Sequence, residues 1–146
     1  MRRPVANAIV AAGLLCAALA GCGGSGPSDQ QRVRGALQRF GRAVAQRDYH
    51  TVCSALLAPV LVERLAEIGL PCETALARGF GPVQHPTLAV RSVHVSGSSA
   101  SALVHTAAAN QTPSDDTVAL AKIGGSWRIS SLGVAPPPRA PGAKQR

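Results

Sequence analysis

Apolar residues in this chain recur at three- and four-residue steps up to about Ala77 and at two-residue steps from Thr87 onward, with Pro86 at the change. A helical period followed by a strand period, in a chain of 146 residues, leaves room for one small α+β domain whose helices must cover a face of its sheet. The composition is 46% hydrophobic but only 3% aromatic, so the core is aliphatic, and neither a two-lobed enzyme nor a polar disordered chain fits.

The helical half divides at its punctuation. Ser28 and Asp29 are cap residues before a stripe of Val33, Leu37, Phe40 and Val44, predicting an amphipathic helix that ends near Arg47. Its arginines, Arg32, Arg34, Arg39, Arg42 and Arg47, fall mostly off that stripe and read as a solvated face. Asp48 caps a second helix through Tyr49, Val52, Cys53, Leu56 and Leu57. Pro59 opens another turn with Val60, Leu61, Leu65 and Ile68, which Gly69 stops, and Pro71 starts a brief helix carrying Cys72, Leu76 and Ala77. Gly79-Phe80-Gly81-Pro82 reads as loop.

Four strands are expected at Leu88 to Ser96, Ala100 to Ala109, Thr117 to Ile123 and Ser126 to Val134, with turns at Gly97-Ser98-Ser99 and Gly124-Gly125. A two-residue Gly-Gly turn pairs Ile123 with Ser126, Lys122 with Trp127, Leu120 with Ile129 and Val118 with Ser131. Val118, Leu120, Trp127 and Ile129 then share one face, which the helices must cover. In the first strand the apolar phase moves from Leu88 and Val90 to Val93 and Val95, which predicts a bulge near Arg91-Ser92 and a curved sheet.

The N-terminus carries a different signal. Arg2 and Arg3 precede an apolar run from Val5 to Ala20, too short for a comfortable membrane span, and Leu19-Ala20-Gly21-Cys22 follows. This segment resembles a bacterial lipoprotein signal peptide, its last four residues matching the lipobox. The resemblance implies cleavage after Gly21, lipidation of the Cys22 thiol, and anchorage at the extracytoplasmic face of the cell membrane. An ordinary secretory signal or an uncleaved helix is the plainer alternative, and Pro4-Val5-Ala6 does not continue a twin-arginine motif. Residues 1–21 are thus expected to be signal peptide, 22–27 a flexible tether, 28–135 the domain, and 136–146 a Pro-rich basic tail.

Placed along the chain, the net charge of +8 loses its nucleic-acid connotation. Setting aside Arg2, Arg3, Arg139, Lys144 and Arg146 leaves about +3, and stacking aromatics are nearly absent, so no nucleic-acid partner is expected. The tail would suit contact with anionic envelope polymers. Of the four cysteines, Cys16 leaves with the signal and Cys22 takes the lipid. Cys53 and Cys72 remain as an even pair in an oxidising compartment, a disulfide by the natural reading, because further metal ligands are missing at suitable spacing.

Helices followed by a curved antiparallel meander, with Phe40, Val44, Asp48 and Tyr49 early, Cys53 with Cys72, and Gly125-Ser126-Trp127-Arg128-Ile129 at the end, resemble the nuclear-transport-factor-two-like superfamily, also called SnoaL-like or cystatin-like α+β. The resemblance spans about Ser28 to Val134. It implies a cone of helices on a concave sheet whose mouth can hold a small apolar ligand, and it includes ketosteroid-isomerase-like and polyketide-cyclase-like enzymes as well as members without known activity. If such a pocket is open, its expected lining is Phe40, Tyr49, His105, Val118, Leu120, Trp127 and Ile129; the five apolar walls and Tyr49 are equally explained as core, and His105 would be a pocket base.

Isomerase or cyclase chemistry needs a carboxylate base inside the cone, faced by a Tyr or a protonated acid. The strands contain no Glu, and Asp115 and Asp116 read as a loop edge, while Asp48 reads as a helix cap and Tyr49 as core. His94 and His105 are out of opposition on consecutive strands, and His50 and His85 read as exposed. No nucleophile elbow, phosphate loop or zinc spacing is present, so no catalytic residue, metal or cofactor is assigned. The expectation is a lipid-anchored binding or accessory domain that takes a small apolar ligand or an envelope protein, with a SnoaL-like or ketosteroid-isomerase-like enzyme as the alternative.

Overall fold

A computed structural model of the chain describes residues 26–134. The expected signal peptide (1–21), the lipid site Cys22, most of the tether and the tail (136–146) lie outside the described residues. Helix α1 (Asp29–Ala45) opens with a capping box: the Ser28 hydroxyl accepts from the Gln31 amide, and the Gln31 side chain accepts from the Ser28 amide. Its buried face is Val33, Ala36, Leu37, Phe40, Ala43 and Val44. The helix ends in a Schellman motif, the amides of Arg47 and Asp48 donating to the carbonyls of Val44 and Ala43, with Arg47 at φ 58 where glycine is usual.

Asp48 then caps α2 (Tyr49–Thr51), accepting from the Thr51 amide, and the chain continues as a π-helical turn, Val52–Leu56. The expected second helix is shorter than its pattern. Ala58 precedes Pro59 and is held extended, so Leu57 and Ala58 lie instead along the edge of the last strand, where the Ala58 amide donates to the Ile129 carbonyl at 2.7 Å.

Pro59 is the first residue of α3 (Pro59–Glu67), which has no fully buried residue. Leu61, Val62 and Leu65 face inward, whereas Val60 (45% exposed) and Ile68 (74% exposed) do not, correcting the expected stripe. Helix α4 (Cys72–Phe80) runs on through Gly79 and Phe80, which had read as loop. Its last turn is held by tertiary packing, the Phe80 ring meeting Phe40 edge-on at 6.2 Å.

The sheet is an antiparallel meander in the order β1 (Thr87–Ser96), β2 (Ser99–Ala108), β3 (Gln111–Ile123) and β4 (Ser126–Val134). Gly124 (φ 55) and Gly125 (φ 80) supply the two positive φ angles that a tight type I′ turn requires. The register from that turn holds through Leu120 opposite Ile129 and then shifts, so Ala119, not Val118, opposes Ser131. A shift between Val90 and Ser92 leaves Arg91 as the expected bulge. The Arg34 guanidinium donates to the Val90 carbonyl beside it at 3.1 Å, so this arginine is half-buried rather than part of a purely solvated face.

Strand β3 begins six residues earlier than its apolar pattern, because polar cross-strand pairs carry it: Thr106 opposite Ser114 and His105 opposite Asp115. The loop-edge reading of Asp115 and Asp116 is therefore corrected; both are within the strand. Val118, Leu120, Trp127 and Ile129 are all buried on the inner face, under α1.

Two covalent or charged ties hold the helices in place. Cys53 and Cys72 are disulfide-bonded, Cα to Cα 6.0 Å, joining the π-turn to the start of α4. Reduction is expected to destabilise the domain by about 3 kcal/mol, a fall in Tm on the order of 10–20 °C, measurable by thermal melts with and without reductant. At the start of α1, Asp29 accepts from Lys122 Nζ at 3.0 and 3.1 Å and from Trp127 Nε1 at 3.1 Å. The Lys122 hydrogen bond first, and then that from Trp127, hold the Asp29 carboxyl below its ordinary value. A folded-state value below the unfolded one means that this contribution is complete above the unfolded pKa and is lost as pH falls through the folded one. Asp29→Asn is expected to flatten part of the loss of stability below about pH 4 in pH-dependent melts; Asp48, lowered by its hydrogen bonds to Thr51, supplies a further part.

Candidate functional site: a cleft between α1, α4 and the sheet

The sheet curves away from the C-terminal half of α1 and leaves a cleft of about 330 Å³. Phe40, Gly41 and Val44 of α1 and Phe80 of α4 form one side; Leu88, Val104 and Val118 form the floor. This volume is within the range of small-molecule sites. Gly41 sets how closely α1 approaches β1, since a Cβ there would stand 3.2 Å from Leu88 Cβ.

Against the apolar walls stands a short polar chain, and Thr87, Gln111 and Thr112 add further polar side chains to the lining. Ser114 Oγ donates to Asp116 Oδ2 at 2.8 Å, and Thr106 Oγ1 lies 3.0 Å from Ser114 Oγ; all three residues line the cleft. Because the single Ser114 hydroxyl proton is committed to the carboxylate, Thr106 is the donor in the second bond. What remains open is acceptor capacity: lone pairs of Thr106 and of the Asp116 carboxylate. At this polar chain the cleft therefore offers hydrogen-bond acceptors beside an apolar body, suited to a ligand that brings an O–H or N–H donor.

Of the residues expected from sequence to line a pocket, Phe40 and Val118 do so. Leu120, Trp127 and Ile129 are buried core outside the cleft lining, Trp127 against the start of α1 and Ile129 beside Leu57 and Ala58. Tyr49 packs half-buried against the core outside the cleft, its hydroxyl without a hydrogen-bond partner among the described residues. His105 alternates with buried Val104 and so lies on the outer face of the sheet, where its Nδ1 is 2.8 Å from Asp115 Oδ1. His50 similarly bridges to Glu73 at 3.0 Å, at an exposed position. Among the described residues no three His, Cys, Asp or Glu side chains come together as metal ligands.

Asp116, Ser114 and Phe80 were missed by the sequence reading. A usable signal existed in the strand period: Ser114, Asp116, Val118 and Leu120 are in one phase, so extending β3 backward by that phase puts the carboxylate on the inner face.

No protein-family model matches the chain, and no curated protein matches it. Among solved structures it is similar to an NTF2-like protein of unknown function from Silicibacter pomeroyi, with 18% identity, 69% of this chain and 89% of that chain covered, and a TM-score of 0.50. A second NTF2-like protein of unknown function, from Shewanella baltica, is 15% identical over 69% of this chain and 87% of that chain, with a TM-score of 0.49. Helices on a four-stranded, curved antiparallel sheet, in agreement with the first of these neighbours, give the chain the NTF2-like α+β fold.

Proposed function

We propose that this protein is a lipid-anchored domain at the extracytoplasmic face of a bacterial cell membrane that binds a small, mainly apolar molecule in the cleft between α1, α4 and the sheet. The observation that carries the binding reading is the cleft itself: largely apolar walls with a hydrogen-bonded polar group, Thr106–Ser114–Asp116, on one side. The lipobox Leu19-Ala20-Gly21-Cys22 supports the anchor, and two acyl chains on Cys22 would meet the requirement for stable attachment. The mature protein is expected to begin at Cys22 and to carry the mass of the lipid, and Cys22→Ala to lose that mass and keep residues 1–21 uncleaved; a mature N-terminus elsewhere, or an unaltered protein without the lipid mass, would overturn the anchor.

A second reading, an enzyme of SnoaL-like or ketosteroid-isomerase-like type, is favoured by Asp116, a carboxylate within an apolar cleft that could take a proton from a bound carbon acid. One experiment separates the readings. Native mass spectrometry of the protein isolated from an envelope extract should show an added mass that is lost on denaturation. Thr106→Phe, which fills the cleft, should weaken that binding at least about tenfold. Conversion of the released molecule on incubation, abolished by Asp116→Asn, would replace the binding reading with the enzyme. A clean mass with no adduct would move the function to an envelope protein partner.

A further inference from the structure

Next to the cleft lies a second hollow that shares five of its lining residues, Val44, Phe80, Val83, Pro86 and Thr87, but none of Thr106, Ser114 or Asp116. This vestibule adds Ala45, Arg47, Gln84 and His85. Arg47 and His85 are also the two non-glycine residues with positive φ among the described residues, at 58° and 49°.

Both side chains are presented from braced backbone. Arg47 is the left-handed residue of the Schellman motif that ends α1, and its Nη2 donates to the Gly81 carbonyl at 3.2 Å. The segment carrying His85 is tied to the β2–β3 turn: Asn110 accepts from the Gln84 amide and donates to the Pro82 carbonyl, both at 2.9 Å, and the Ala109 amide donates to the Gln84 carbonyl at 2.8 Å. Arg47 forms no ion pair with a carboxylate among the described residues. The adjacent Asp48 is engaged with the Thr51 amide. One guanidinium N–H is used on Gly81, and the others remain to donate.

We propose that the vestibule receives the carboxylate head of a single-chain anionic amphiphile whose apolar body lies in the cleft. The inference rests on the ligand-binding reading above and specifies the class of ligand. A planar guanidinium is matched to a carboxylate, and the imidazole of His85 adds a donor on the same rim. The walls shared by vestibule and cleft, led by Val44 and Phe80, form an apolar passage from the head to the acceptor end at Asp116.

The test is calorimetric titration of the purified protein with three eight-carbon probes that differ only in the head: octanoate, octanol and octylammonium. Octanoate is expected to bind at least about tenfold more tightly than octanol, as a charge-assisted hydrogen bond implies. That ratio should fall toward one in Arg47→Asn, whose side chain tolerates left-handed backbone, and fall partway in His85→Asn. Raising the ionic strength should likewise narrow the ratio in the unaltered protein, a readout that does not depend on any variant folding. Equal binding of octanoate and octanol, or tightest binding of octylammonium, would overturn the vestibule while leaving the cleft as a binding site. Failure of all three probes to bind a folded protein would overturn both.

Discussion

Burial of the inner face of the sheet by α1 is the constraint on which the rest of this molecule depends. With so few aromatic side chains, the domain draws its stability from aliphatic contacts: Val33 and Leu37 on the helix, and Val104, Val118, Leu120 and Ile129 on the sheet, each worth roughly 1.5–3 kcal/mol when buried. Trp127 is the one large ring on that face, and its indole N–H joins Lys122 in holding Asp29. The N-terminal half of α1 is thereby sealed to the sheet. The C-terminal half, from Phe40 to Val44, stands against a sheet that curves away, and the space between them is the cleft.

Curvature has a local chemical origin in the three places where pairing slips: at Arg91, between Thr106 and Ala108, and along β3 and β4 near Ala119. A bulge bends its strand and frees backbone groups, which need partners when they are shielded from water. The Arg34 guanidinium meets the Val90 carbonyl beside the bulge at Arg91. On the far edge, the extended Leu57-Ala58 segment pairs with Ile129 and covers part of β4 that would otherwise present unpaired groups.

The cleft and its vestibule differ in hydrogen-bonding sense, and this difference gives the site a direction. One end is a relay of hydroxyls terminating in the Asp116 carboxylate, with acceptor capacity to spare; the rim carries guanidinium and imidazole donors. A molecule with an acidic head, an apolar body and a donor on that body would satisfy both. The disulfide between Cys53 and Cys72 contributes indirectly, because it holds α4, and α4 carries Phe80 into the wall.

Local order was legible in the sequence wherever the cause was local. The capping residues Ser28 and Asp48, Pro59 at a helix start, the Gly124-Gly125 turn and the phase change at Arg91 each act within a few residues, so the class of fold and most element boundaries could be read directly. The inner face of Val118, Leu120, Trp127 and Ile129 followed from the strand period together with the Gly124-Gly125 turn. The site was not local in this sense. Phe80 belongs to a helix because Phe40 receives it, Ser114 and Asp116 belong to a strand because β2 pairs with them, and Tyr49 and His105 fall outside the cleft because helix placement and strand phase direct them elsewhere. Composition and periodicity determined that helices would cover a curved sheet; only the tertiary packing decided where the two part company, since that depends on bulges and on the angle at which α1 is pinned.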